Sequence, residues 1–423
     1  MDPATLDLAR WEFALTAGTH FLFVALTLGL VTLVACLQTR AAVTGSAVHR
    51  RMTGFWGQLY VINYAVGIVT GLVMELQLAL NWGGLAHFAG NVIGSSLALE
   101  TITAFFLEST FLGLWIFGRD RLNRWVHLAL IWGVALTAYA SAYWIMVSNG
   151  FLQHPAGARV VDGVLRLTDA AAVFANPSAT VALGHLLGGA LVTGGLVMAG
   201  VSAWHLRRGT PDPEFFRRSL RLGLFTALPA LLLTVAMGSL HFGVLDATQP
   251  MKTALFRGDA AEQDLLRREL VAAHGPGDYA PPAVGGPAAY VMMLCWVLML
   301  VITVAGVLMA RSPRRLERSR RRIRLLVLAI PLPFVAMIAG WVFRETGRQP
   351  WVVQGLLRTE DAVSDLSPGA LRFSLALFTV LFLLLASVNT WLLARCARRG
   401  PDASEPGLPS ADQGPEPFTA PTY

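Results

Sequence analysis

Nine stretches of about twenty or more apolar residues divide the chain, at roughly 14–37, 55–78, 92–117, 124–148, 180–204, 222–243, 288–310, 323–344 and 371–395. As a helix rising ~1.5 Å per residue, each is long enough to cross ~30 Å of hydrocarbon. Inside that slab no water is available, so every backbone N–H and C=O must be paired within the segment, which a helix achieves. The spacing therefore predicts an all-α integral membrane protein with about nine transmembrane helices in bundles. Charged residues make up 14% of the chain, against about 25% in soluble domains, which agrees with that class.

The net charge of +7 does not point to nucleic acid, because the basic residues sit in short blocks between apolar runs. Twenty-two of the 33 fall after the first, third, fifth, seventh and ninth stretches, including eight arginines between Arg311 and Arg324. The excess of positive charge on the cytoplasmic side then places the C-terminus in the cytoplasm and the N-terminus outside. Two outer loops are long, about 149–179 and 244–287. Residues 1–399 read as one membrane domain, and 400–423, rich in Pro, Ser, Gly and acid, as a disordered cytoplasmic tail. Cys36, Cys295 and Cys396 form no CxxC or CxxCH, which excludes a zinc ribbon and covalently attached c-type haem. No cleavable signal is expected, since the first apolar run follows an acidic start. No internal repeat is visible, which argues against a transporter.

An ionisable group inside a membrane span is costly and so marks function by default. The set is His20, Glu75, Glu100, Glu108, His127, His185, His241 and Glu345. Each has a plain reading: a buried histidine can simply hydrogen-bond a neighbour, a methionine can pack, and a carboxyl can relay a proton. Taken together, His20, His185, Glu100, Glu345 and Met293 lie at similar depth near the outer ends of five helices. All five can ligate iron, and helix bundles build cofactor sites from such facing side chains. No apolar stretch carries two histidines, as a bc-type cytochrome b requires, and no two histidines are adjacent, as in haem–copper oxidases.

Several segments carry a resemblance: Arg10–Phe13 with Ala14-Leu15-Thr16 and His20-Phe21-Leu22-Phe23; Glu100 and Ala104–Phe111; Ser148-Asn149-Gly150-Phe151 with Gln153 and Pro155; Val192-Thr193-Gly194 and Ser202-Ala203-Trp204. The most specific is Gly340-Trp341, Glu345 and Gly347-Arg348-Gln349-Pro350-Trp351. Over roughly 5–399 the chain resembles subunit I of cytochrome bd-type quinol oxidases, in a compact form with a short quinol loop. The resemblance implies that His185 and Met293 hold a low-spin b haem. It likewise makes His20 and Glu345 ligands of two high-spin haems, giving two b-type haems and one haem d or a third b-type haem. Glu100 would lie at the di-haem pocket. Glu108, with Ser109, Ser141 and Asp120, would carry protons from the cytoplasm. Trp341 would stand between haems, Arg348 would pair with haem propionates, and Lys252, the only lysine, would serve the outer quinol loop.

The implied activity is oxidation of quinol at the outer face and reduction of O2 to water with cytoplasmic protons, building a proton gradient without pumping. The alternative is a bd-like haem membrane protein with weak or no quinol oxidase activity. Implied partners are subunit II, small single-helix subunits, quinol, O2 and the bilayer of a bacterial plasma membrane, with no nucleic acid. Two departures stand out. Arg257 occupies the place of an acid five residues after Lys252, and Val291 that of an arginine two residues before Met293. Glu262, Asp264 or Glu269 would then take the quinol protons, or these would pass directly to water. In a solvent-facing loop, Arg257→Glu is expected to be tolerated.

Overall fold

The computed structural model describes residues 3–312 and 323–401. Most of the basic block before Arg324 and the tail from 402 onward therefore lie outside the described residues. Among the described residues, nine helices are long and apolar enough to cross a bilayer.

The chain begins with α1 (Pro3–Thr44) and α2 (Ala47–Asn81). The third span is made of α3 (Gly83–Thr101), a π-helical stretch (Ile102–Glu108) and α4 (Ser109–Phe117). After α5 (Arg124–Gln153) a hairpin pairs β1 (Ala158–Val161) with β2 (Val164–Leu167). Asp162 and Gly163 form its turn, both at positive φ, the geometry that favours an Asp-Gly pair. The helices α6 (Ala170–Phe174), α7 (Pro177–Arg208) and α8 (Pro213–Thr248) follow. Two short helices, α9 (Pro250–Arg257) and α10 (Ala260–His274), precede α11 (Gly285–Ala310). The eighth span is split into α12 (Arg324–Leu328) and α13 (Leu332–Thr346), with Pro331, which has no backbone N–H, at the break. A hairpin of β3 (Trp351–Val353) and β4 (Leu357–Arg358), then α14 (Thr359–Ala362), lead to α15 (Pro368–Arg399).

Local chemistry sets the helix ends. Asn176 caps α7 by accepting from the Ser178 N–H, and Pro177 fills the first turn, where a missing N–H costs nothing. Gly209, at φ 77°, ends the same helix in the left-handed conformation.

Two helices form the centre. The apolar windows of α1 and of α6–α7 are each 67% buried, whereas that of α15 is 11% buried. Between membrane helices apolar side chains gain little by leaving lipid, so close backbone approach through small residues supplies much of the attraction. Gly29 on α1 meets Gly194 on α7 in this way. A Cβ built on Gly29 would lie 2.1 Å from the Ala190 carbonyl oxygen. Gly29→Val is expected to force α1 off α7, an overpacking cost of at least about 1–3 kcal/mol. Gly90→Val, at a position with nothing within 4 Å, should have little effect. Thermal melts of the two variants in detergent check this, and equal melting points would contradict the central role of the contact.

Candidate functional site

On the side of the bundle where α1 begins, a cavity of about 450 Å³ opens between α7, α8, α11 and α13. His185 of α7 and Met293 of α11 both line it. The state of the histidine follows from its partner. His185 Nδ1 sits 2.8 Å from the Thr234 carbonyl oxygen, which can only accept, so Nδ1 must carry the hydrogen. That leaves the lone pair on Nε2, the arrangement in which a second partner orients a metal-ligating histidine. Gly238 makes room beside the ring: a Cβ there would meet His185 at 3.2 Å.

His20 is prepared in the same way. Its Nδ1 lies 3.0 Å from Thr70 Oγ1, and the Thr70 hydroxyl is within reach of the Val66 and Gly67 carbonyls, both at 2.9 Å. The hydroxyl hydrogen goes to a carbonyl, so Thr70 accepts from His20 and again frees Nε2. Gly71 leaves space against this ring, where a Cβ would stand 3.1 Å away. Phe21, next in the chain, meets Trp341 edge to face at 4.9 Å between centroids. Trp341 lines the His185 cavity, and its indole N–H is buried without a hydrogen-bond partner.

One turn beyond Trp341, Glu345 anchors a polar cluster. Its carboxylate pairs with Arg348 Nη2 at 2.6 Å and accepts from Asn149 at 2.9 Å and Gln153 at 3.4 Å. Arg348 also donates to the Val352 carbonyl. Arg344 is 9% exposed. It donates through Nε to Asn149 Oδ1 at 2.8 Å, and its Nη1 lies 3.0 Å from His241 Nε2. The Ser148–Phe151 and Gln153 segment, seen in the sequence only as a pattern, thus supplies the amides that hold Glu345 and Arg344. Arg344 itself was not picked out from the sequence. Its place directly before Glu345 in an apolar stretch was the signal available.

Lys252 is not a solvated loop residue. It is 3% exposed and lies on α9 with its Nζ donating to the Arg344 carbonyl at 2.9 Å and to Gln153 Oε1 at 3.4 Å. Burial, then the Arg344 charge and, despite Glu345, that of Arg348 hold its pKa well below the usual lysine range. Its surroundings thus disfavour the ammonium form. Lys252 also lines a second cavity of about 320 Å³, with Phe256, Arg257, Tyr290 and Phe343. Lys252 and Phe343 border both cavities.

Arg257 bridges Asp246 at 2.6 Å and Glu262 at 2.8 Å. All three side chains are solvent-facing, as the tolerance expected of Arg257→Glu requires, although the exchange would replace two surface ion pairs with a cluster of three carboxylates beside this cavity. Glu262, one of the acids expected to take over, is already paired. Val291 is 43% exposed and absent from the cavity lining.

The carboxyls of the third span separate into two groups. Glu100 accepts from Ser141 at 2.9 Å and lies within hydrogen-bonding reach of Glu75. Glu108 is 4% exposed. The Tyr60 phenol stands beside it without closing a hydrogen bond, and Tyr64 lies 3.2 Å from Ser109. The structure thus gives Ser141 to Glu100 rather than to Glu108, and leaves Asp120 exposed beyond the end of α4. The π-helical stretch between the two acids turns more widely than an α-helix and is a frequent mark of functional sites.

The donor set fits haem better than a bare ion. Among the described residues, no three of His, Cys, Asp and Glu gather to hold a metal. A histidine Nε2 and a methionine sharing one apolar cavity can supply the two axial ligands of an iron already held in a ring. The unpartnered Trp341 Nε1 and Arg344 Nη2 are donors suited to the polar edge of such a group.

Comparison with known proteins agrees. The chain matches the family of cytochrome bd terminal oxidase subunit I over residues 8–278 and 274–401. It is 34% identical to cytochrome bd ubiquinol oxidase subunit 1 of Bacillus subtilis (strain 168), covering 93% of this chain and 94% of that one. It is 32% identical to cytochrome bd-II ubiquinol oxidase subunit 1 of Escherichia coli (strain K12), covering 97% and 99%. The bd oxidase structure from Geobacillus thermodenitrificans superposes with a TM-score of 0.83 at 26% identity, over 94% of this chain and 99% of that one. With the family matched across nearly all of its length, this chain belongs to the cytochrome bd terminal oxidase subunit I family.

Proposed function

We propose that the chain is the haem-binding, quinol-oxidising subunit of a terminal respiratory oxidase in a bacterial plasma membrane. It works with subunit II and small single-helix subunits. The carrying observation is the pairing of cavities: His185 and Met293 share one, a quinol-sized second one lies beside it, and Lys252 borders both. Haem, when bound, supplies the electron-transfer and oxygen chemistry. His185 and Met293 would hold a low-spin b haem. His20 and Glu345 would serve two high-spin haems, one of b type and the other haem d or a third b-type haem.

The chain's own residues handle position and protons. In the smaller cavity Tyr290 and Phe343 offer aromatic walls to a quinol ring, and Lys252 offers a lone pair to a quinol hydroxyl. The released proton leaves on the N-terminal side, which the arginine distribution assigns to the outside. Glu108, deep in the third span, passes protons from the opposite side toward Glu100 and the high-spin pocket. Arg348 and Glu345 fix the polar rim, and Trp341 packs between this pocket and the His185 cavity. Proton release on one side and uptake on the other builds a gradient without a pump. Arg257, where an acid was expected, favours a second reading, a haem protein with weak quinol activity. Quinol-driven O2 uptake by the purified complex decides between them: rapid uptake supports the oxidase, and haem spectra without uptake support the second reading.

Lys252→Ala removes a buried hydrogen-bonding amine, an effect of about 0.5–1.5 kcal/mol, so KM for quinol should rise roughly 2–10-fold. Electrons from an artificial donor should still reach O2. The pKa of Lys252 is depressed, so its amine is neutral above that lowered value and protonated below it. Quinol oxidation should therefore fall as pH drops through the lowered value, and Lys252→Ala should lose that acid limb. Identical pH profiles would remove Lys252 from the proton step. Glu108→Gln should slow O2 turnover by on the order of 10²-fold, as loss of a proton-transfer group does, with haem content preserved. Full turnover in that variant would exclude Glu108 as an obligatory relay.

A further inference from the structure

Positive charge exceeds negative charge at the rim of the His185 cavity. The guanidiniums of Arg344 and Arg348 face a single carboxylate, that of Glu345. Glu345 belongs to Arg348, at 2.6 Å, and stands 3.9 Å from Arg344 Nε. The closer partners of Arg344 are both neutral, the Asn149 amide oxygen and His241 Nε2. Its Nη2 is buried with no hydrogen-bond partner, and Arg344 lines the cavity together with His185 and Met293. A guanidinium cannot shed its proton at ordinary pH, and a buried charge without a counter-ion is strongly disfavoured. The site is therefore complete only when an anion reaches that Nη2 from the cavity side.

We infer that Arg344 is the cationic anchor for a carboxylate of the group held between His185 and Met293, and that its charge raises the reduction potential of that group. This rests on the haem reading of the cavity given above. The chemistry required is a carboxylate on an otherwise apolar, ring-shaped ligand, which a haem propionate provides. A fixed positive charge near the iron favours the reduced form, which carries one positive charge fewer. Helix α11 brings no such charge, because Gly285–Ala310 contains no lysine or arginine and valine stands at 291. The charge arrives instead from α13, directly before Glu345, so one helix end couples the rim of the His185 cavity to the Glu345 cluster. Arg344 is a positioning residue in this scheme, and Asn149 and His241 hold its fork in place.

Redox titration of the low-spin haem band in the whole purified complex tests the inference without relying on turnover. In Arg344→Leu the band should persist, and its reduced-to-oxidised ratio at a fixed potential should fall at least tenfold, a shift of 59 mV for one electron. Arg344→Lys, which keeps the charge but not the fork, should recover most of the shift. If Arg344→Leu loses the haem altogether, Arg344→Lys and Arg344→Gln decide: a lower potential in the glutamine variant than in the lysine variant supports the inference, and equal potentials overturn it. An unchanged potential in Arg344→Leu with full haem content also overturns it while leaving the haem assignment standing. A wild-type complex without a low-spin band would overturn the haem reading itself, and this inference with it.

Discussion

A bilayer offers no water to a buried charge, and the cluster around Glu345 answers that constraint. Arg348 meets the carboxylate directly at 2.6 Å, Asn149 and Gln153 donate to its other oxygen, and Asn149 and His241 engage Nε and Nη1 of Arg344, whose Nη2 is left without a partner. These groups come from α5, α8, and α13 with the turn that follows it. Side chains that could not stand alone in hydrocarbon therefore tie three separate parts of the chain together. Removing one partner from such a cluster leaves its neighbour buried and unpaired, which costs more than the bond itself is worth. The cluster also sits where the two cavities meet, so the element that fixes the helix ends also sets the electrostatics of both.

Lys252 gives this arrangement its chemistry. A lysine in a solvated loop would be a cation attracting whatever anion passed. Buried beneath α9 and flanked by Arg344 and Arg348, it is held away from the charged form. It borders the aromatic cavity on one side and the His185 cavity on the other, which is what the proposed role in taking a quinol proton rests on. Arg257, by contrast, is committed to Asp246 and Glu262. It ties α9 to the end of α8 and the start of α10, where an acid in its place would repel both neighbours.

Much of this was legible from residue patterns. Apolar length alone gave nine spans, because the thickness of hydrocarbon fixes how long a spanning helix must be. Depth along those helices gathered His185 and Met293 with three other candidate ligands, the family resemblance paired the two, and the structure places both on one cavity. Other features were invisible to that reasoning. The third span is helical throughout by composition, and nothing in Ile102–Glu108 announces a π-helical turn. The π-helical turn changes the relative facing of Glu100 and Glu108 from that of a regular helix, and Ser141, expected with Glu108, belongs to Glu100. Lys252 lay in a polar stretch that looked solvated, since burial beneath a short amphipathic helix depends on what packs over it. Arg344 escaped notice because its importance depends on partners, Asn149 and His241, that lie far away in sequence. The Asp162-Gly163 turn was written in the sequence, but a four-residue strand hairpin is easily passed over among helices of thirty residues or more.

The account stands on one assignment, that His185 and Met293 hold a single low-spin haem in the cavity between α7 and α11. Reduced-minus-oxidised spectra, with pyridine haemochrome quantification, of the wild-type complex and of His185→Ala test it most directly. The account predicts that His185→Ala loses the low-spin b signal and about one haem per complex, with the high-spin bands retained. A variant that keeps the full low-spin signal and haem content would contradict it.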